Sequence, residues 1–404
     1  MDNNNLALFL LRRREEEEFE FINFIHPVTN GDETSERRRI HTSVLTGAMY
    51  VQEVLEGHDE RCKREFRMET HVFKALVKCL RDKGLISDTK YVSAEEQVAM
   101  FLFTLSKNAS NRTVQERFQH SGETVSRHFR VVLEAITQLT EDLIQRPLAI
   151  TPSSIRWNSK FYPYFENYFG AIDGTHIPIS IATSLQEPYR NRKQTLSQNV
   201  MVACDFNLRF VYVRAGWERS ASDARILQDA LNNGFTVPLG KYYLVDAGYA
   251  NTLSFIAPYR GIRYHLREHG AANEKPKDYK ELFNLRHLQL RNHIERIIGI
   301  IKMRFPILKV ATYHSINNQT DIVMACCVLH NFIRNHNGTE DWLNDGISEI
   351  RNYEIIDVSD GDAEYAEDID SMNNQRRAGN LKREEIVKKM WTDYIARHQS
   401  RRNS

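Results

Sequence analysis

Three carboxylates stand out in this 404-residue chain because of where they sit. Asp173 lies in FGAIDGTHIPI, residues 169–179, where an apolar run meets glycine and then continues. Asp246 lies in KYYLVDAGYA, with Leu244 and Val245 leading straight into it. Aspartate is depleted in strands and costly to bury alone. In both segments a glycine follows closely, which suits a strand end where the backbone turns and a ligand can approach. The third acid, Glu295, falls in a helical pattern among Arg291, Arg296, Lys302 and Arg304. Any one of these acids alone reads as a turn or cap residue; the three together point to a metal site. Converging carboxylates repel one another unless a cation lies between them. Mg²⁺ or Mn²⁺ takes such hard oxygen ligands, and two ions sharing carboxylates can activate a water or a 3′-hydroxyl at a phosphodiester. Arg291, Arg296 and Lys302 would then hold phosphates.

The elements that must position these acids follow from the apolar spacing. FGAIDGTHIPI, QNVMVACDFNLRF and FVYVRAGW read as successive strands, the last two joined by a tight turn at Asn207. A helix over Ser220–Leu231 follows, then the strand KYYLVDAGYA. Ile294, Ile297, Ile298 and Ile301 give the helix within residues 290–308 one apolar face, and residues 321–336 form another apolar helix. The alternation predicts an α/β domain with a mixed sheet. Upstream the pattern is helical. Residues 111–136 have the outline of a helix-turn-helix, with a turn at Ser121-Gly122 and Val125, Phe129, Val132, Leu133 and Ile136 on the inner face of the second helix. Arg127, His128 and Arg130 on that helix are candidates to face DNA, although a helical hairpin that binds nothing fits the pattern equally well.

The formal net charge of +1 conceals segregation. Residues 341–370 carry a net −10, residues 277–309 a net +5, and residues 371–404 a net +6. A basic body beside a separate acidic segment suits a polyanion. The five cysteines are scattered, with no CxxC pair, which favours reduced thiols. The apolar run Leu6–Leu11 is too short to span a membrane. Among other candidates, Asp223 reads first as a helix cap and second as a residue supporting the metal ligands from behind, Asp205 reads as a turn residue, and His176 as a structural histidine ahead of a substrate contact. Cys326, Cys327 and His330 share one apolar helix and read as core rather than as zinc ligands. Trp391 and Tyr394 would anchor either a partner or an intramolecular helix contact.

AIDGTHIPI, SQNVMVACDFNLRFVYV, AGWERSASDARIL, YYLVDAGYAN, FIAPYRGIRYHL, ELFNLRHLQLRNHIERIIGIIKMRFPIL and ACCVLHNFIR occur in that order. Together they resemble the DDE nuclease domain of PIF/Harbinger-type transposases, especially the plant transposase-derived branch. The resemblance implies an α/β, ribonuclease-H-like mixed-sheet nuclease domain preceded by an all-α helix-turn-helix region. It also implies a metal-dependent triad of Asp173, Asp246 and Glu295. Arg219, Ala250 and Ile298 depart from residues common in the family, and none of them removes a ligand. The expected organisation is a poorly ordered stretch at 1–45, a helical domain at 46–150, the nuclease domain at 162–336, an acidic linker at 341–373 and a basic helix at 374–404. DNA is the expected partner, with a separately encoded Myb-like DNA-binding protein and a homo-oligomer also expected. The expected location is the nucleus, and no membrane association is expected.

Overall fold

The computed structural model describes residues 40–191, 194–262, 276–336 and 369–400. Most of the stretch at 1–45 and of the acidic linker therefore lies outside the described residues, as does most of the insertion near 267–279.

Six helices open the described chain: α1 Gly47–Glu56, α2 Asp59–Phe66, α3 Thr70–Asp82, α4 Ala94–Lys107, α5 Asn111–Phe118 and α6 Gly122–Thr137. Two one-turn helices, α7 Thr140–Leu143 and α8 Ser153–Arg156, lead to the sheet. The caps explain the boundaries of α5 and α6. Ser110 and Ser121 each accept a hydrogen bond from the backbone N–H three residues on, which satisfies a donor that the first turn leaves unpaired. Two helices separated by a short turn are thus present, the second opening at Gly122.

The sheet has five strands: β1 Tyr168–Pro178, β2 Ser197–Cys204, β3 Phe210–Glu218, β4 Tyr242–Leu244 and β5 Phe255–Ile256. Their order is β3-β2-β1-β4-β5. β1, β2 and β3 pair antiparallel, whereas β4 joins β1, and β5 joins β4, in parallel. The expected mixed sheet is present. Two details differ from the sequence reading: β4 stops before Asp246, and the two-residue β5 was too short for any periodicity to reveal. Helices α9 Asp223–Asn232, α10 Tyr279–Arg304, α11 Ile316–Asn335 and α12 Ile369–Ser400 complete the chain.

β2 is buried at every position, so both faces of the sheet are covered. Val200, Val202 and Cys204 point into a core shared with α11 and the N-terminal helices. Met201 and Ala203 point into a second core beside α9. The helical region therefore buries its apolar face against the sheet domain. Asn331 on α11 ties the two together: its Nδ2 donates to the carbonyls of Leu143 and Phe210, and its Oδ1 accepts from the N–H of Phe210. α12 packs on β5 and α10; Tyr259 donates to Glu384, and Trp391 stacks on Tyr394 at 5.6 Å beside the third core. The intramolecular role weighed for Trp391 and Tyr394 is the one observed. Cys326 and Cys327 are buried in the core, and the His330 ring is bonded to the Leu208 carbonyl.

His287 is fully buried and His176 and His314 are half-buried, and all three favour the neutral form. Burial pushes His176 and His314 down to about 4 and His287 down to about 3. An unfolded chain protonates its histidines near pH ~6.5. The unfolded state therefore takes up these protons first, so their contribution is intact above about pH 6.5 and is lost as pH falls toward 4. Thermal melts of the metal-free protein are expected to show a falling midpoint across that window. His287→Gln, if it folds, is expected to flatten the fall, and an unchanged slope would remove His287 as a contributor.

Candidate active site

The parallel register of β1 and β4 pairs Ala171 with Leu244. Asp173 and Asp246 each lie two residues further along, so the two acids reach the same edge from neighbouring segments. Gly174 N–H donates to Asp173 Oδ1 at 3.0 Å, and Gly248 N–H donates to Asp246 Oδ1 at 2.8 Å. Asp246 is thus oriented by the turn that follows β4, whereas Asp173 lies inside β1, which continues to Pro178 rather than ending at the acid. α10 packs across β1 and carries Glu295 and Arg291 to this edge. Arg291 sits between the acids: one guanidinium nitrogen is 2.8 Å from Asp173 Oδ1 and another is 2.9 Å from Glu295 Oε1.

Burial drives the Asp173 carboxyl up to about 7, and the negative charges of Asp246, Glu295 and Asp223 push the same way against the pull of Arg291. Asp223 takes the supporting role that its sequence context ranks below a helix cap. Ser222, not Asp223, caps α9, with its hydroxyl accepting from Arg225 N–H. Asp223 instead accepts from Asn199 Nδ2 at 3.2 Å and lies over Gly174. Burial, together with the charge of Asp246, raises its carboxyl as well. The available signal was the serine immediately before it, since serine is as good a cap and comes first in the chain.

Gly174 is required by this approach, because a Cβ there would come within 2.8 Å of Asp223 Oδ1. Gly174→Ala is expected to push Asp223 off Asn199, costing about 1 kcal/mol, the size of one hydrogen bond. A melting midpoint equal to that of wild type would show that the carboxylate moves aside without loss.

Tyr249 adds a polar atom to the same place. Its hydroxyl is buried without a hydrogen-bond partner among the described residues, and burial, then the charges of Asp223, Asp246 and Asp173, raise its pKa. Crowded carboxylates and an orphaned hydroxyl suit a divalent ion with its water. The donor chemistry thus fits a metal. The arrangement is not a closed cage, however: among the described residues no three His, Cys, Asp or Glu side chains form a ready-made set for one ion. Arg291 supplies the compensating charge between Asp173 and Glu295.

The other predicted residues divide. Arg291 is 5% exposed and bound to the acids, so it does not offer itself to phosphate as expected; a buried cation is retained where a carboxylate pairs with it. Arg296 is exposed on α10, and Lys302 donates to Thr175 Oγ1 at 2.8 Å from the same helix. Arg127 and Arg130 are exposed on α6. His128 departs from the expectation of a DNA-facing side chain: it is 3% exposed, because it belongs to the buried stripe of α6 with Val125 and Phe129. Asp205 is the turn residue expected, accepting from Asn207 and Arg209 N–H.

A mixed sheet with acids gathered at one edge is the setting of a phosphodiester-cutting domain, and comparison with known families agrees. Residues 172–331 match the DDE superfamily endonuclease family, and residues 42–138 match a domain of unknown function (DUF8040). Among curated proteins, the chain is 25% identical over 262 residues to "Putative nuclease HARBI1" of Homo sapiens, covering 63% of this chain and 71% of the relative. It is 23% identical over 262 residues to "Protein ALP1-like" of Arabidopsis thaliana, covering 60% and 61%. No solved structure matches it. Residues 172–331 thus match a DDE superfamily endonuclease domain, and the chain is similar to Harbinger-derived proteins. Among the described residues no helix is long and apolar enough to cross a membrane.

Proposed function

We propose that the chain is a metal-dependent DNA endonuclease with transposase-type phosphoryl transfer, in which Asp173, Asp246 and Glu295 are the catalytic triad for two Mg²⁺ or Mn²⁺ ions. The observation that carries this reading is the register of β1 against β4, which sends Asp173 and Asp246 to one edge where α10 delivers Glu295. The ribonuclease-H-like arrangement expected of such a domain is supported by the mixed five-stranded sheet. Bound divalent ions would supply the positive charge that polarises a phosphodiester and lowers the pKa of a nucleophile.

This chain's own residues do the rest. Asp173 and Asp246 present oxygens held by the N–H groups of Gly174 and Gly248. Glu295, with 47% of its side chain exposed, turns from Arg291 toward them. Arg296 and Lys302, on the same helix, meet the arriving phosphates. Tyr249 holds a water against the acids. In-line attack by water at phosphorus cleaves the strand, and the same attack by a DNA 3′-hydroxyl transfers it. DNA is the substrate, a Myb-like protein supplies target recognition, the working form is a homo-oligomer, and the site of action is the nucleus.

Nicking of supercoiled plasmid DNA in Mg²⁺ or Mn²⁺ tests the proposal, with wild type beside Asp246→Ala and Glu295→Gln. Cutting by wild type alone is expected; cutting by Asp246→Ala at the wild-type rate would sink the triad. A second reading has one observation in its favour: Arg291 already compensates Asp173 and Glu295, so the fold is complete without an ion. On that reading the chain is a domesticated DNA- or chromatin-associated adaptor. Calorimetry showing no Mg²⁺ or Mn²⁺ binding to the folded protein would decide for it.

A further inference from the structure

A cleft of about 610 Å³ opens in the N-terminal helical region, between the turn after α3 and the exposed side of α6. It lies on elements separate from the acid edge. Its floor is apolar, with Ile86, Val92 and Val131. Its rim carries two cations, Lys90 and Arg127, and no aspartate or glutamate lines it. Tyr91, also on the rim, is 77% exposed, with Lys90 Nζ 4.9 Å from its ring centroid.

His128 reaches the cleft from α6. It is 3% exposed, yet neither ring nitrogen has a hydrogen-bond partner among the described residues. A buried imidazole with both nitrogens unsatisfied is costly, and such a group calls for an explanation. Burial and the charge of Arg127 favour its neutral form. A neutral imidazole has one donor and one acceptor on nitrogens that point away from each other, so one partner meets one of them.

We propose that this cleft binds an unpaired nucleotide of the DNA substrate. The base would stack on Tyr91 and hydrogen-bond one ring nitrogen of His128, with Lys90 and Arg127 on the flanking phosphates. An exposed aromatic ring beside a basic groove is how proteins hold single strands with little sequence preference. The volume lies within the ordinary range for small-ligand sites, about 300–1,000 Å³. Arg127 is paired with Glu123 at 3.5 Å in an exposed contact, and so weak a pair yields readily to phosphate. The lack of acids on the rim disfavours cationic ligands. An exposed ring with a neutral two-way hydrogen-bonding group favours a base over a simple acidic peptide. The site rests on the reading of the chain as a DNA-acting protein. It differs from a recognition helix in a major groove, because His128 does not stand on the outer face of α6.

The test measures binding of a fluorescein-labelled ten-nucleotide single strand of mixed sequence to the full chain in EDTA, where cleavage cannot occur. Binding and catalysis therefore fail separately. Tyr91→Ala is expected to weaken binding about tenfold, the size of one lost stack. The double variant Lys90→Gln/Arg127→Gln is expected to weaken it further and to flatten its salt dependence. Lys382→Gln on the C-terminal helix removes one positive charge elsewhere and is expected to cost no more than about twofold. Tyr91 is exposed, so its variant reads the site without disturbing the core; His128→Gln adds a test of the edge contact if it folds. Unchanged affinity in Tyr91→Ala overturns the proposal, as does failure of wild type to bind the strand. Displacement of the strand by a glutamate-rich peptide but not by dAMP overturns it too, and assigns the cleft to a protein partner.

Discussion

Asp173→Asn is expected to abolish metal-dependent cleavage while making the metal-free protein more stable. The first effect follows from removing a charged oxygen ligand, and the loss is expected to be on the order of 10³-fold or more, as for removal of other central electrostatic groups. The second follows from the environment. Asp173 is largely buried beside Asp246, Glu295 and Asp223, and its carboxyl is raised from 3.8 to about 7. A raised carboxylate is a cost carried by the folded state at neutral pH, because the unfolded chain ionises freely. At 1.36 kcal/mol for each pKa unit the ceiling on the gain is about 4 kcal/mol, and the weakened bond to Arg291 lowers it. Melting in EDTA at pH 8 checks this against wild type. A variant that loses cleavage and also melts earlier would show that Asp173 is a structural partner of Arg291 rather than a strained ligand. Strain of this kind at a functional site is common, because a charge cluster awaiting a ligand is stabilised only when the ligand arrives.

Arg291→Met is expected to have the largest effect on stability. Its side chain is 7% exposed and bridges Asp173 and Glu295. Methionine fills much of the space but leaves Asp173 buried among like charges. Removing one partner of a buried ion pair costs about 3–5 kcal/mol. That loss is expected in EDTA. Millimolar Mg²⁺ is expected to return part of it, because an ion can take over the compensating charge, so Mg²⁺ shifts the variant's midpoint upward more than that of wild type. Stability equal to wild type in EDTA would mean that the bridge contributes nothing. Equal Mg²⁺ shifts in the two proteins would mean that no ion enters between these acids. Arg291→Lys keeps the charge and serves if the methionine variant does not fold.

How much of this was legible beforehand varies by residue. Asp173 and Asp246 were visible because a carboxylate at the end of an apolar run is a local anomaly, and locality is what a sequence displays. Strands β1, β2 and β3 and helices α9 and α11 were legible for the same reason, since their apolar spacing reports burial within one element. β5 was not, because its two residues hold no period, and β4 was overdrawn through Asp246 because the run of apolar residues does not mark where pairing stops. His128 was misread because its spacing was taken for the outer face of α6, where a histidine is commonplace, and the packing of α4 against α6 was not in view.

The types and order of the acids, the charge segregation and the alternation of strands and helices were determined by the sequence alone. Only the tertiary structure decided which charges meet. Arg291 reads as a phosphate contact on an isolated helix and becomes the counter-charge of Asp173 once α10 lies across β1. Asp223 reads as a cap and becomes a fourth acid once α9 packs beside β2. The reason is physical: a propensity acts over a few neighbouring residues, whereas the energy of a buried charge depends on groups brought within a few ångströms from anywhere in the chain.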